Sequence, residues 1–354
     1  MALFLFNYDV ELEWSGEAAL DAHDKLPWHL LNQQALLLWP LMQPGDQLAV
    51  YELPDPKLVA SLAERIGFSP EWFQVNGGPT NRVAQDLLGQ MEPGSVDLVP
   101  WGNSSSVDRL AGREVDMLAA RFCSKLFFHQ LRPPELAPHS AILDDPDWVE
   151  PMLKQALRDW GTVMVKHPWG SSGRKNMKLD KLTPKTLVTL RRWVLQSGGI
   201  LVEAWHEINQ EWSLQYQIES TGPRLLGVSR LHVGADGSHQ ASGAGEQPPK
   251  ELKSLFGAAE AILQVLLKEG YRGPLGIDVW ESGGRFYLSE LNPRLTMGRL
   301  ALEWSKVFGV SGRLEVGHGP EVGPGWLVNL AGTTDTKKNW VTKFFPNPSE
   351  RQKP

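Results

Sequence analysis

Arg285-Phe-Tyr-Leu-Ser-Glu-Leu-Asn-Pro-Arg294 is the stretch that decides the fold of this 354-residue chain. It begins with aromatic and aliphatic residues typical of a strand and ends in Glu290-Leu-Asn292-Pro-Arg294. Because strand side chains alternate between the two faces of a sheet, Glu290 and Asn292 are predicted to point the same way. Two oxygen ligands with a guanidinium close behind suit a hard divalent cation that carries phosphates.

A second short strand, Gly276-Ile-Asp278-Val-Trp280, precedes this stretch. The intervening Glu281-Ser-Gly-Gly284 is typical of a hairpin turn, so Asp278 is expected beside Glu290 and Asn292. The sequence does not fix the pairing register. A half-buried hairpin with solvated polar side chains is the alternative interpretation, and the rest of the chain must decide between them.

A second motif lies upstream, where an apolar strand over residues 162–166 ends in Lys166. The chain then passes through His-Pro-Trp into a loop that contains Gly170, Ser171, Ser172 and Gly173. Such a loop can bring backbone N–H groups close to phosphate oxygens, and the lysine adds a point charge. It is not a Walker A loop, because no Gly-Lys-Ser/Thr opens a helix here. A flexible turn is the alternative.

The third motif joins two predicted strands through a short turn and carries carboxylates at both ends. It reads Glu203-Ala204-Trp205-His-Glu-Ile-Asn-Gln-Glu211. Hydrogen-bond acceptors of this kind suit an adenine amino group and ribose hydroxyls. A hairpin with solvated acids would give the same pattern.

Composition and charge exclude several classes of protein. The formal net charge is −6 with basic and acidic residues interspersed, which is unlike a nucleic-acid-binding surface or a polybasic membrane anchor. Cys123 is the only cysteine, which excludes a disulfide framework and a cysteine-based metal cluster. Its apolar neighbours predict a buried structural thiol, and a free nucleophile is the alternative. The sequence shows no signal-peptide pattern and no apolar run long enough to span a bilayer, so a cytoplasmic protein is expected.

The first third of the chain alternates predicted strands and helices, which favours an α/β layer around a largely parallel sheet. Single helices are predicted over residues 107–128 and over residues 248–269. In a later strand–loop–helix–strand unit, Thr183-Pro184 predicts the start of a helix, with Thr183 as its N-cap.

The order of these motifs along the chain resembles that of the ATP-grasp superfamily, the carboxylate–amine ligase fold of D-alanine–D-alanine ligase and biotin carboxylase. The similarity covers roughly residues 115–300. Phe6-Asn-Tyr-Asp9 and Pro100-Trp-Gly102 show a weaker resemblance to a poorly characterised bacterial branch of the superfamily. The resemblance implies an α/β fold with an N-terminal Rossmann-like pre-ATP-grasp domain, followed by an ATP-grasp module of two α+β subdomains.

Five segments are predicted from the sequence and the resemblance together. They are a pre-ATP-grasp domain over residues 1–115, a linker and helical connection over 116–158, a lid subdomain over 159–204, a C-terminal catalytic subdomain over 205–310 and a C-terminal appendage over 311–354.

The resemblance also assigns the residues that would bind ATP. Lys125 and Lys166 match the two lysines that contact the phosphates, and residues 170–173 match the loop that covers them. Glu203, with the backbone at Ala204 and Trp205, matches the adenine-binding hinge. Glu211 matches the acid that binds the ribose.

Metal binding and catalysis are assigned in the same way. Asp278, Glu290 and Asn292 match the ligands of Mg²⁺. Arg294 matches the arginine that steadies the transferring phosphoryl group or the acyl-phosphate, and Lys166 acts with it. The resemblance therefore implies ATP and Mg²⁺ as cofactors.

Three departures from the family pattern bear on the acyl site. His167 interrupts the usual Lys-Pro pair, and Lys175-Asn176 stands where a glycine is common. Gly276-Ile277 stands where the family often has an arginine, and Arg230 and Arg272 are candidates to replace that arginine.

The expected activity is ATP- and Mg²⁺-dependent ligation of a small-molecule carboxylate to an amine or another nucleophile. Two alternatives stay open: a phosphotransferase on the same fold, and a nucleotide-binding regulatory protein without turnover. No nucleic-acid or membrane partner is expected. The sequence leaves the substrates and the oligomeric state open, a homo-oligomer included.

Overall fold

A computed structural model describes residues 1–15, 34–76, 83–170, 175–234, 239–318, 326–329 and 340–347. Within these residues the chain forms one parallel sheet and two antiparallel sheets. The expected α/β class is confirmed.

The N-terminal domain is built on a four-stranded sheet in the order β3-β2-β1-β4, in which every pair is parallel. Its strands are β1 (Ala2–Leu5), β2 (Gln47–Val50), β3 (Glu71–Gln74) and β4 (Asp97–Pro100). Helices in this part are α1 (Val10–Trp14), a 3₁₀ helix (Leu36–Leu41), α2 (Pro56–Ile66), α3 (Val83–Leu88) and α4 (Ser105–Leu110). Leu3 and Leu5 are fully buried on one face of β1, as the core strand of such a sheet requires.

Helix α2 shows how local sequence sets these boundaries. Asp55 caps its start by accepting a hydrogen bond from Lys57 N at 2.7 Å, and Pro56 occupies the first turn. The helix ends at Gly67, whose φ of 95° lies in the left-handed region.

The single helix predicted over residues 107–128 is wrong. The chain forms α4, α5 (Leu118–Cys123) and α6 (Lys125–Leu131) instead. Gly112 adopts a φ of 65°, which ends the first helix, and Ser124 is extended with a ψ of 124° between the other two. This break places Lys125 at the start of α6, from where its side chain reaches the cleft described below.

The lid is a second four-stranded sheet in the order β5-β8-β6-β7, with all pairs antiparallel. Its strands are β5 (Ser140–Leu143), β6 (Val163–Lys166), β7 (Asn176–Leu179) and β8 (Ile200–Ala204), and its helices are α7 (Val149–Trp160) and α8 (Pro184–Ser197). Thr183 caps α8 as predicted, since its hydroxyl accepts a hydrogen bond from Thr186 N at 3.1 Å. Strand β5 lies inside the predicted linker.

The largest sheet has eight strands in the order β13-β12-β9-β10-β11-β14-β16-β15. They are β9 (Gln210–Glu219), β10 (Gly222–Val233), β11 (His239–Ala244), β12 (Gly273–Ser282), β13 (Arg285–Asn292), β14 (Gly312–His318), β15 (Trp326–Asn329) and β16 (Trp340–Pro346). Two helices, α9 (Phe256–Lys268) and α10 (Met297–Phe308), pack against it. The last three strands extend this sheet from the segment that the sequence predicts to be an appendage.

The helix predicted over residues 248–269 is a 3₁₀ helix (Lys250–Leu255) followed by α9. Its apolar face is as expected, because Leu252, Leu263 and Leu266 are fully buried against the large sheet. A separate core, which includes Leu153, Val165 and Leu190, holds the lid together.

None of the helices that the structure describes combines the length and apolar character needed to cross a membrane.

Candidate functional site

The predicted hairpin is formed by β12 and β13, and Asp278 lies directly opposite Glu290. Ser213 on β9 donates its hydroxyl to Asp278 Oδ1 at 2.6 Å, and the Asn292 amide donates to Asp278 Oδ2 at 3.0 Å. Asp278, Glu290 and Asn292 therefore share one face of the sheet, as their alternation along the strands predicts.

These residues fit a hard cation. Burial, followed by the adjacent Glu290 carboxylate, raises the pKa of Asp278 to about 7, which shows that the two carboxylates lie close together in a largely desolvated position. In the described parts of the chain, no group of three His, Cys, Asp or Glu side chains is arranged around a common metal position. Asp278, Glu290 and Asn292 would supply two carboxylates and one amide oxygen. So few protein ligands suit Mg²⁺, because that ion keeps several water or phosphate ligands.

Lys125 reaches the same position from α6. Its ammonium lies 2.7 Å from Glu290 Oε1 and also donates to the carbonyl of Gly170 at the root of the predicted phosphate loop. Burial lowers the pKa of this lysine, but the neighbouring acidic groups, with Glu290 first among them, together outweigh that effect and the net pKa is raised. Lys125 therefore stays charged between the loop and the carboxylates.

Lys166 is held by Glu203 on the neighbouring strand β8, with 2.6 Å between Lys166 Nζ and Glu203 Oε2. The other oxygen of Glu203 accepts a hydrogen bond from the buried Arg132. Burial raises the pKa of Glu203, but Lys166 and Arg132 together lower it to about 2. The Glu203 carboxylate thus forms salt bridges with two basic side chains of the protein. Its adenine-binding role stays a prediction.

Arg132 was missed by the sequence reasoning. It sits at the end of α6 and donates to the carbonyl of Leu288 at 2.9 Å as well as to Glu203. In the sequence it stands in an amphipathic stretch before two prolines, which gives no sign of burial.

The predicted hinge is tied into the lid sheet through its N–H groups. Ala204 N donates to the carbonyl of His139 at 2.7 Å, and Trp205 N donates to that of Thr162 at 2.9 Å. The Trp205 ring is partly exposed, and Lys178 Nζ lies 3.9 Å from its centre. Contacts of adenine with this backbone stay a prediction, and they would need groups other than these two N–H donors.

Glu211 lies on β9 opposite Trp280 of β12. Burial raises its pKa, while Lys166 and Arg230 lower it and Glu290 raises it. Glu211 is two residues from Ser213 on β9, so strand alternation puts it on the same face as the Ser213 hydroxyl that donates to Asp278. Its ribose-binding role stays a prediction.

The phosphate loop is described only at its two ends, because Ser171, Ser172, Gly173 and Arg174 lie outside the described residues. His167 N donates to the carbonyl of Lys175 at 3.1 Å, and Gly170 N donates to that of His167 at 3.3 Å. The His167 ring packs edge-on against Trp193, with 5.6 Å between ring centres. The histidine that departs from the family pattern is thus buried and fixes the root of the loop.

Arg294 joins the metal-site residues to the N-terminal domain. Its Nε and Nη2 donate to Glu11 Oε1 at 2.8 and 2.5 Å, and Nη2 also donates to Asn292 Oδ1 at 3.3 Å. Burial lowers the pKa of the guanidinium, but the neighbouring acidic groups, with Glu11 first among them, together outweigh that effect and the net pKa is raised. The sequence reasoning missed Glu11, which is 283 positions away and stands in a short acidic segment without a motif.

The large sheet and α6 thus bring together Asp278, Glu290, Asn292, Arg294 and Lys125. Glu211 lies on the same face of β9 as Ser213, and Lys166 is held by Glu203 within the lid sheet. A substituting role for Arg230 or Arg272 stays a prediction. Arg230 donates to Gln210 Oε1 at 2.8 Å, and Arg272 donates to the carbonyl of Leu267 at 2.9 Å.

Comparison of the whole fold with solved structures gives similar chains of low sequence identity. An N5-carboxyaminoimidazole synthetase from Staphylococcus aureus, complexed with ADP, superposes with a TM-score of 0.58 at 10% identity, over 98% of this chain and 93% of that one. A phosphoribosylamine–glycine ligase from Thermotoga maritima gives 0.58 at 14% identity, over 97% and 92% of the two chains. No family model and no curated protein matches the sequence. The protein therefore has the fold of the ATP-grasp superfamily.

Proposed function

We propose that this protein is an ATP- and Mg²⁺-dependent ligase that activates a carboxylate as an acyl-phosphate and joins it to an amine or another nucleophile. The observation that carries this proposal is the meeting of Lys125, Glu290, Asp278 and Arg294 at one point of an ATP-grasp fold. The similar structures support it, since one was solved with ADP and another is a ligase.

In the proposed reaction a carboxylate oxygen of the substrate attacks the γ-phosphorus of ATP, and the bond to the β-phosphate oxygen breaks to release ADP. The amine nitrogen then attacks the acyl carbon, phosphate leaves with the electrons of the C–O bond, and the nitrogen loses a proton. Little covalent chemistry is required of the protein, so positioning and charge neutralisation provide most of the rate enhancement.

The chain's own groups would divide this work. Asp278, Glu290 and Asn292 would hold Mg²⁺, which would neutralise the phosphates and orient them when bound. Lys125 and Lys166 would contact the phosphates from the two sides of the cleft. Arg294 would balance the charge that develops on the transferring group.

The test is a screen of amino acids and small carboxylates for compounds that stimulate ADP release from Mg-ATP. A carboxylate found in this way is then incubated with Mg-ATP and hydroxylamine but without an amine. An acyl-phosphate is a mixed anhydride, so hydroxylamine converts it to a hydroxamate, and ADP and hydroxamate should form together.

Arg294→Ala should suppress both products in this assay, because it removes the charge proposed to stabilise the transferring group. ADP formed with a stable phosphoester and without hydroxamate would replace the ligase by a phosphotransferase. ATP binding that no compound converts to ADP release would favour a regulatory protein.

A further inference from the structure

The contact between Glu11 and Arg294 crosses from the N-terminal domain to the end of the metal-site hairpin. Both side chains are largely buried, with 14% and 15% of their surfaces exposed. Arg294 also donates through Nη1 to the carbonyl of Leu295 at 2.9 Å. Hydrogen bonds thus engage all three nitrogens of the guanidinium, and Glu11 accepts two of these bonds.

Helix α1, which carries Glu11, is itself fixed on the loop that follows β4. The Asn7 amide donates to the carbonyl of Gly102 at 2.7 Å, and Gly102 N donates back to Asn7 Oδ1 at 3.2 Å. Glu13 Oε1 accepts from Ser106 N at 2.6 Å, and the Trp14 indole donates to the carbonyl of Asn103 at 2.9 Å. The helix has five residues, so these contacts rather than its own hydrogen bonds hold its position.

The same loop is joined to the catalytic side of the cleft. Leu295 N donates to the carbonyl of Trp101 at 2.9 Å, and Trp101 N donates to that of Leu5 on β1 at 2.8 Å. The Arg294 guanidinium lies 5.5 Å from the centre of the Trp101 ring. The contacts therefore form a ring. It leads from β1 through α1 and Glu11 to Arg294, and then through Leu295 and Trp101 back to β1.

Glycine at position 102 permits this close approach. A Cβ atom built there would lie 3.1 Å from Val10 Cγ2 and 3.2 Å from Arg294 Cβ. These distances are shorter than ordinary van der Waals contacts, so even an alanine would require the Val10 and Arg294 side chains to shift.

From this geometry we propose that Glu11 is a positioning residue for phosphoryl transfer, because it holds the Arg294 guanidinium against Asn292 and the metal-site carboxylates. This inference rests on the proposed function. Glu11 acts only through Arg294: without it the arginine keeps its charge but loses the two hydrogen bonds that fix its direction. The N-terminal domain thereby contributes to the catalytic centre.

Aluminium fluoride provides a test that does not need the unidentified substrates, because with Mg-ADP it mimics a transferring phosphoryl group. The dissociation constant of Mg-ADP is measured for the full chain with and without aluminium fluoride. Fluoride should tighten binding to the wild type. Glu11→Gln should reduce that tightening by about 10- to 100-fold, the usual effect of a supporting residue, while leaving Mg-ADP binding without fluoride unchanged.

A double-mutant cycle separates positioning from a general structural role. In an Arg294→Ala background, Glu11→Gln should have no further effect, because the group through which it acts is gone. Glu303→Gln is the matched control, since Glu303 accepts from Arg299 at 2.7 Å and the two side chains are 12% and 16% exposed. It should leave the fluoride effect unchanged.

Four results would overturn the inference. If Glu11→Gln binds Mg-ADP with aluminium fluoride as tightly as the wild type, the contact does not position Arg294. If the variant binds it more tightly, Glu11 competes with the phosphoryl group for the arginine. Additive effects of the two substitutions would show that Glu11 acts by another route. A wild type whose ADP binding does not respond to fluoride would contradict the proposed function itself, and the inference would fail with it.

Discussion

The ammonium of Lys125 lies 2.7 Å from Glu290 Oε1, although the two residues are 165 positions apart. Glu290 is a proposed metal ligand and Lys125 a proposed phosphate ligand. In this structure the Lys125 ammonium and the Glu290 carboxylate neutralise each other's charge. Binding of Mg-ATP would exchange this contact for two new ones, lysine to phosphate and carboxylate to metal, so the charges of the site are paired in both states.

Replacing Glu290 by glutamine should abolish Mg²⁺-dependent ADP release, with a loss of at least about 100-fold, since a direct ligand matters more than its supporting residues. The substitution removes a charge from a hard-cation site at nearly constant shape. ADP release and circular dichroism are measured on the same preparation. Glu303→Gln serves as the control, and near-normal turnover by a folded Glu290→Gln protein would refute the metal assignment.

Nucleotide should protect the predicted phosphate loop from trypsin, as expected of an active-site loop that closes over its ligand. Arg174, Lys175 and Lys178 are the cleavage sites in this part of the chain. Mg-ATP or a non-hydrolysable analogue should slow cleavage there, as followed by mass spectrometry. Cleavage after Lys154 on the exposed face of α7 is the internal control. Equal rates at the loop with and without saturating nucleotide would argue against a phosphate-covering role.

Glu203→Gln should destabilise the protein at pH 7 by about 3–5 kcal/mol, because it leaves Lys166 and Arg132 without their buried carboxylate. The pKa of Glu203 is lowered from its ordinary 4.5 to about 2 in the folded protein. Its stabilising contribution is therefore complete above pH 4.5 and is lost as the pH falls towards 2.

The free energy of unfolding of the two proteins, measured by denaturant titration, should converge over that interval. Glu150→Gln, which removes the exposed partner of Lys154, should differ little from wild type at pH 7. A gap between wild type and Glu203→Gln that stays constant down to pH 2.5 would contradict the ionised buried triad.

Gly298→Ala should destabilise the protein by about 1–3 kcal/mol through overpacking. The added methyl group would lie 2.8 Å from Gln215 Nε2 and closer still to Ser229 Oγ. Gln215 donates to Ser213, which in turn supports Asp278, so ADP release should fall as well.

Gly257→Ala in α9 is the matched glycine control. Nothing lies within 4 Å of its added methyl group, and alanine favours helix, so stability should rise by up to about 1 kcal/mol. Denaturant titration measures both variants. If Gly298→Ala were as stable as the wild type, the hydrogen bonds of Gln215, Ser213 and Asp278 would tolerate the displacement.

The sequence predicted the parts of the site that local periodicity controls. Alternation along β13 predicted that Glu290 and Asn292 share one face, and the Gly-Gly turn predicted that Asp278 lies beside them. The pairing register, which puts Asp278 directly opposite Glu290, came from the structure. The sequence could not predict Glu11 or Arg132, because their roles depend on which distant segment meets them in the fold. Acidic and basic residues in short helices usually face solvent, and only the packing of α1 and α6 brings these two inside.

The prediction of helix boundaries was wrong for a related reason. The apolar spacing across residues 107–128 is helical throughout, so periodicity alone predicts one element. A glycine with positive φ and an extended serine divide it, so that α5 and α6 both pack against β13 while α6 also reaches β8. Competition of this kind between tertiary packing and local preference leaves no signal in a single sequence.

The contact between Arg294 and Glu11 has a consequence for how the protein comes into being. A chain emerging from the ribosome presents residues 1–14 long before residue 294 exists, so this corner of the cleft can assemble only after residue 294 has been made. Closing a loop of such length is slow compared with local pairing, and partners this far apart meet late. Folding intermediates that already contain the N-terminal sheet should therefore lack an ordered Arg294, and the proposed catalytic centre should be completed only after this contact has formed.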